Sequence, residues 1–161
     1  RISGVSKLEA VKEWLRLFIE AQPMEPLVLM AHHREVIQEL GSYLRCPVID
    51  GSTTNTTRQK IVDNFQSGEL RYVVVSITAG GMGLTLTRAA NMAIVEQHWT
   101  PGVLLQAEDR IHRISQDRPV TIYRLLGSKT FDDFMFQCIN DKLDSNEVIE
   151  HFKEWSNAVN Q

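Results

Sequence analysis

The chain has 161 residues, a single-domain length, and its 43% hydrophobic residues suffice for a core. A formal net charge of −3 gives no general basic surface for nucleic acid, and no apolar run approaches the length of a bilayer span. Cys46 and Cys138 stand far apart in no metal-ligand spacing, so they read as reduced thiols in or near a core rather than as a disulfide or zinc framework.

Arg1-Ile2-Ser3-Gly4 carries neither an initiator Met nor a signal peptide and reads as a start inside a longer chain. Ser6 is placed to cap a helix over residues 7–21, whose Leu8, Val11, Trp14, Leu15, Phe18 and Ile19 recur at spacings of three and four and form one buried stripe. Pro23 and Pro26 end it, and residues 27–30 follow as a short buried strand. A second helix is expected over 35–44 with Val36, Ile37, Leu40 and Leu44 inward, although Gly41 weakens it by ~1 kcal/mol relative to Ala. Residues 48–49 form a second short strand, Asp50-Gly51-Ser52 turns the chain, and Thr56 or Thr57 starts a third helix to about Phe65.

Residues 72–77 are the clearest strand, a largely β-branched run of the kind that parallel sheets bury on both faces. A Gly-rich loop over 79–83 and a strand over 92–95 follow. Pro101 suits the first turn of a helix reaching Ile111. A last strand is expected over 120–126, then two helices over 130–143 and 146–159. The alternation implies an α/β fold, a parallel sheet with helices on both faces plus C-terminal helices. Such sheets gather ligands at the carboxyl ends of their strands.

Four segments carry chemistry. Gln106-Ala107-Glu108-Asp109-Arg110-Ile111-His112-Arg113-Ile114-Ser115-Gln116 places two arginines three apart, and a guanidinium is an always-charged fork suited to the charge that builds in phosphoryl transfer. On spacing alone, a surface ladder of salt bridges fits as well. Ser76-Ile77-Thr78-Ala79-Gly80-Gly81-Met82-Gly83-Leu84-Thr85 follows the best strand, with glycines that admit a phosphate and hydroxyls that donate to it; a plain Gly-rich turn is the alternative. Ile49-Asp50-Gly51-Ser52-Thr53-Thr54, with Arg58 just inside the next helix, is an anion site or a capped turn with a solvated Arg. Ala31-His32-His33 supplies too few ligands for zinc and leaves a DNA contact, loop support or a structural histidine. Phe131, Phe134, Met135, Cys138, Ile139 and Leu143 make a later apolar stripe, and Phe152 and Trp155 another.

In order and spacing these segments, over about residues 6–143, resemble the second RecA-like lobe of the SWI/SNF branch of superfamily 2 helicases. Met30-Ala31-His32-His33 resembles motif IV, Ile49 to Thr53 the Asp-Gly-Ser element, Ser76 to Leu84 motif V, and Gln106 to Gln116 motif VI; Glu96-Gln97-His98-Trp99-Thr100-Pro101-Gly102 resembles the family's Trp-Asn-Pro connection. Ala-His-His, Met-Gly-Leu-Thr and Trp-x-Pro-Gly are most similar to the HARP-like annealing helicases, which act on branched DNA. Ser115 departs from the usual Gly of motif VI and Thr85 from the usual Asn of motif V.

The resemblance implies that residues 1–127 form the lobe and 128–161 a helical extension packed on it. It implies Arg110 and Arg113 as catalytic arginines, with Gly83 and Gln106 near the nucleotide. It implies DNA-backbone contacts from His32, His33, Gly51, Ser52, Arg58, Ser76, Thr78, Gly80 and Gly81. The implied partners are double-stranded or branched DNA and a first RecA-like lobe of the same polypeptide, with ATP and Mg²⁺ held mainly by that first lobe. No P-loop and no acidic magnesium box occurs in the 161 residues, so the lobe by itself is expected to show no ATPase activity. The isolated lobe is also expected to be a monomer. A nuclear location is expected if the source is eukaryotic. A nucleosome-remodelling lobe, an inert docking module and an unrelated doubly wound domain are the competing readings, the last lowered by the absence of G-x-G-x-x-G.

Overall fold

The computed structural model describes residues 2–77, 84–95, 116–125 and 144–150. In chain order these give α1 (Ile2–Ala21), β1 (Leu27–Ala31), α2 (Arg34–Leu44), β2 (Val48–Ile49), α3 (Asn55–Ser67), β3 (Tyr72–Ser76), β4 (Asn91–Ile94) and β5 (Thr121–Arg124). All strand pairings are parallel, in the order β2-β3-β1-β4-β5. β1 is central: Leu29 lies opposite Val74 on one side and Ala93 on the other.

The period of two along each strand divides the core. Leu27, Leu29, Ala31, Val74, Ala93 and Tyr123 face α1 and α2, while Val28, Met30, Val73, Val75, Met92 and Ile94 face α3 and the segment 84–89. The handedness rule requires this split. The chain leaves β1 toward β2 in one direction and returns from β2 to β3 in the other, so right-handed crossovers put α2 and α3 on opposite faces. On the α1 face, Trp14 stacks on Phe18 with ring centroids 5.3 Å apart, and both rings meet Tyr123 of β5 at 4.9 and 5.6 Å. Burial pushes the Tyr123 hydroxyl pKa upward. Residues 145–150 are helical and start in a capping box: Glu147 N–H donates to Asp144 Oδ1 at 2.9 Å and Asp144 N–H to Glu147 Oε1 at 3.3 Å. Val148 and Ile149 join the α1 face of the core.

Several boundaries differ from the sequence reading. α1 already includes Ile2, so Ser6 lies within the helix rather than at its cap; nothing between Ile2 and Ser6 except Gly4 opposes a helix. α3 starts at Asn55, not at Thr56 or Thr57, because Thr54 is the residue with extended backbone and its hydroxyl accepts from Thr57 N–H at 3.2 Å. The strands lie within one or two residues of expectation. The expected helices over 101–111 and 130–143, the loop 79–83 and most of the helix over 146–159 lie outside the described residues.

Gly41 weakens α2 as a propensity but is required as a space. It is buried, and a Cβ there would sit 2.6 Å from Val48 Cγ2. Its absence lets α2 settle directly on β2, and the helix ends one turn later with Arg45 in the left-handed region (φ 52). Gly41→Ala is therefore expected to destabilise the protein by about 1–3 kcal/mol, the usual cost of overpacking, against a propensity gain of ~1 kcal/mol. Thermal unfolding measures it, and Val48→Ala in the same chain should return part of the loss.

Candidate functional site

Because every strand is parallel, all carboxyl ends open on one edge of the sheet. That edge carries His32-His33 after β1, the Asp50–Thr54 turn after β2 and Ser76-Ile77 after β3. Neighbouring strands lie about 4.8 Å apart, so the ends of β2, β3 and β1 span about 10 Å. The chain leaves β1 in the opposite direction from β3 and β4, which puts the topological switch point at β1, beside the two histidines.

The turn after β2 is organised by Asp50. One oxygen, Oδ1, accepts from Ser52 N–H at 2.9 Å, from the Ser52 hydroxyl at 2.6 Å and from the Thr53 hydroxyl at 3.3 Å. Thr53 closes the loop in reverse: its Oγ1 accepts from Asp50 N–H at 3.0 Å and its N–H donates to Asp50 C=O at 3.1 Å. The Ser52 hydroxyl and amide hold the Asp50 carboxyl below its ordinary range, outweighing the opposing desolvation, with lesser help from Thr53 and the positive charge of Arg34. Gly51 is exposed, and nothing lies within 4 Å of where its Cβ would be, so its backbone is open to a ligand.

Arg58 differs from the solvated arginine considered from sequence. It is only 7% exposed. Its guanidinium donates to Thr53 C=O at 3.3 Å, Asp50 C=O at 3.5 Å and Asn55 Oδ1 at 3.4 Å. The first turn of α3 turns this residue inward under the loop, so the fork braces the turn from below. Arg58 is thus brought to the site as the turn's support, and its charge is spent on the turn's carbonyls.

His32 and His33 are exposed, with rings edge-on at 5.1 Å between centroids; His33 occupies the N-cap position of α2. Ser76 is buried at the end of β3 opposite Ala31, so what it presents at the edge is chiefly backbone. Thr78, Gly80, Gly81, Gly83, Gln106, Arg110 and Arg113 lie outside the described residues. Among the described residues no group of three or more His, Cys, Asp or Glu converges as a metal site, and no helix is long and apolar enough to cross a membrane.

Comparison with known proteins identifies the arrangement. The model of the helicase conserved C-terminal domain matches residues 6–115. This chain belongs to that family. The Xenopus tropicalis SWI/SNF-related matrix-associated actin-dependent regulator of chromatin subfamily A-like protein 1 is 40% identical over 147 residues, which cover 86% of this chain and 15% of that protein. The mouse DNA annealing helicase and endonuclease ZRANB3 is 35% identical over 149 residues, covering 87% of this chain and 14% of that protein. Among solved structures, the C-terminal part of the Fun30 ATPase domain superposes with a TM-score of 0.65 at 27% identity, covering 91% of this chain and 51% of that one. The chain is a RecA-like helicase C-terminal lobe of SWI/SNF type, and it spans about one-seventh of the length of these curated relatives.

Sequence reading missed the lobe's opposite edge. There the segment 84–90, which follows motif V, is gripped from two sides. Gln66 of α3 accepts from Arg88 N–H at 2.9 Å and donates to the Thr87 hydroxyl at 3.1 Å. Gln116, the last residue of motif VI, donates to Ala89 C=O at 2.7 Å and Thr87 C=O at 2.9 Å. Arg118 donates to Arg88 C=O and holds Glu25 through both carboxylate oxygens at 3.1 Å. Lone glutamines have no spacing signature, and only the motif VI boundary pointed at Gln116.

Two outcomes are expected of the helicase lobe's turn. Arg58→Ala removes the guanidinium donor from the carbonyls of Thr53 and Asp50, the latter keeping only Thr53 N–H, and should cost about 1–3 kcal/mol of stability; amide exchange at Ser52 and Thr53 should quicken, and Arg58→Lys should recover only part of both. The Asp50 pKa is lowered in the folded state, so its contribution is complete above the unfolded value of about 3.9 and is lost as pH falls through the lowered folded value. NMR titration should find the amides of Gly51, Ser52 and Thr53 constant from neutral pH to about 4 and shifting only below it; Asp50→Asn should abolish that titration.

Proposed function

We propose that this lobe is the second motor half of an ATP-driven translocase on double-stranded DNA, working in fork remodelling or strand annealing. The observation that carries it is the coincidence of three motif positions on one edge of the parallel sheet with a helicase-domain match that runs from before motif IV to residue 115, within motif VI. In this reading Gly51 and Ser52, the histidines and the residues after β3, with Thr78, Gly80 and Gly81, follow successive phosphates. Backbone N–H groups and hydroxyls make the contacts, which suits a chain of net charge −3. Ser52 takes part by exchanging its hydroxyl from Asp50 to a phosphate. Arg58 acts indirectly, by holding the turn that presents Gly51.

Arg110 and Arg113 serve as arginine fingers toward ATP, with Gly83 and Gln106 beside it, while the first lobe of the same polypeptide holds the phosphates and Mg²⁺. Two lobes closing on ATP and opening after hydrolysis give a step along DNA, a ligand-driven shift between two arrangements. The lobe alone is then a monomer without ATPase activity. Residues 1–127 make up the lobe and 128–161 an extension packed on it, which the burial of Val148 and Ile149 under α1 supports. The annealing-helicase name of one relative favours branched DNA and a nuclear setting; the chromatin-regulator name of another favours a nucleosome-remodelling lobe as the second reading.

The DNA-stimulated ATPase rate of the full-length parent tests the proposal. Arg113→Ala is expected to lower it by about 10³-fold, the scale of an arginine finger, with circular dichroism and DNA binding unchanged. An unaltered rate would sink the finger assignment and leave an inert docking module.

A further inference from the structure

We infer that Gln116 is a positioning residue for the catalytic arginines. This deepens the proposed function and rests on Arg113 acting on ATP. The argument begins with reach. Gln116 is three residues after Arg113, and a chain spans at most about 3.6 Å per residue, so the Arg113 Cα lies within about 11 Å of the Gln116 Cα whatever the conformation between them. Fixing one end fixes the range of the other.

Gln116 is fixed in an uncommon way. Its single amide group donates to two backbone carbonyls, Thr87 and Ala89, at 2.9 and 2.7 Å, and its carbonyl oxygen accepts from Arg118 N–H at 3.2 Å. These three partners are all backbone atoms, and backbone cannot swing away as a partner side chain can. The gripped segment is itself immobilised. Leu84, Leu86 and Ala89 are buried in the core on the α3 face, Ala89 N–H closes a turn on Leu86 C=O at 3.2 Å, and Gln66 holds both Arg88 N–H and the Thr87 hydroxyl.

The anchor therefore joins two motifs. One side is the outlet of motif V, which the proposed function places on DNA. The other is the outlet of motif VI, which it places on ATP. α3 extends the same connection: Arg58 in its first turns braces the turn after β2, and Gln66 near its end holds residues 87–88. The hydrogen bonds of Gln116 thus tie the arginine segment to the same fixed backbone that follows motif V. Without them, Arg113 keeps its charge and loses its placement.

Full-length parent protein carrying Gln116→Met and, separately, Gln116→Lys tests this. Met keeps the length and removes the donors; Lys keeps donors that reach the carbonyls. DNA-stimulated kcat, KM for ATP, DNA affinity without nucleotide and thermal midpoint are read together, with Arg113→Ala alongside. The expected result is a kcat for Gln116→Met lower by on the order of 10²-fold, the scale of a misplaced catalytic group, with KM and DNA affinity little changed and most of the rate restored in Gln116→Lys. An unaltered kcat, an equal loss in both variants, or a loss matched by the fraction unfolded overturns the inference. If neither variant folds, Gln116 is a stability anchor and the inference is also overturned. A dead Arg113→Ala with a fully active Gln116→Met defeats only this inference, whereas an active Arg113→Ala defeats the function it rests on.

Discussion

The parallel hydrogen bonding of β1 to β3 and β4 is the constraint from which the rest of the lobe follows. A parallel strand with neighbours on both sides is buried on both faces, which is why Leu27 to Ala31 is apolar throughout. It also forces every connection to travel back along a face, so α2 and α3 must lie on opposite sides with buried seams of their own. Most importantly it sorts the loops. Those leaving carboxyl ends gather on one edge and those entering amino ends on the other. The lobe therefore has one edge, the working edge of the proposed function, which carries Asp50, Gly51 and the two histidines, and a bracing edge, where the side chains of Gln66, Gln116 and Arg118 hold the backbone of residues 87–89.

The working edge is stiff where its sequence looks loose. Asp50-Gly51-Ser52-Thr53-Thr54 is a run of small polar residues, yet one carboxylate oxygen takes three donors and one buried guanidinium fastens the carbonyls below. Presenting an open glycine to a polyanion works only if the surrounding loop does not reorganise on contact, since ordering it then would draw on the binding energy. In the proposed function the Asp50 oxygen would compete with phosphate for the same Ser52 hydroxyl, so that engagement at this turn would be an exchange of acceptors.

Much of this was legible in the sequence, and unevenly so. The β-branched run at Tyr72 to Ser76 and the stripe of Val11, Trp14, Leu15 and Phe18 mark buried surfaces through local periodicity, and the motifs fix the chain order. Arg58 was not legible. A charged side chain at the start of a helix reads as solvated, and its burial depends on carbonyls aligned by Asp50, eight residues earlier. Leu17 was overlooked because it falls beside the main stripe, where only the neighbouring α2 and the sheet decide burial. Gly41 was read as a weak point in a helix; its reason is a methyl group on another element. Gln116 shows the same limit, since its partners lie nearly thirty residues upstream and are backbone atoms, which no side-chain pattern encodes.

The corner where α2 meets β2 holds one more property. Cys46 sits there half-buried, and burial pushes its thiol up to about 12. Burial therefore disfavours the reactive thiolate at neutral pH and slows its reaction with alkylating reagents, an effect that weakens once Gly41 and Val48 part. The rate of labelling at this atom therefore reports the opening of that corner, where α2 rests on the outermost strand.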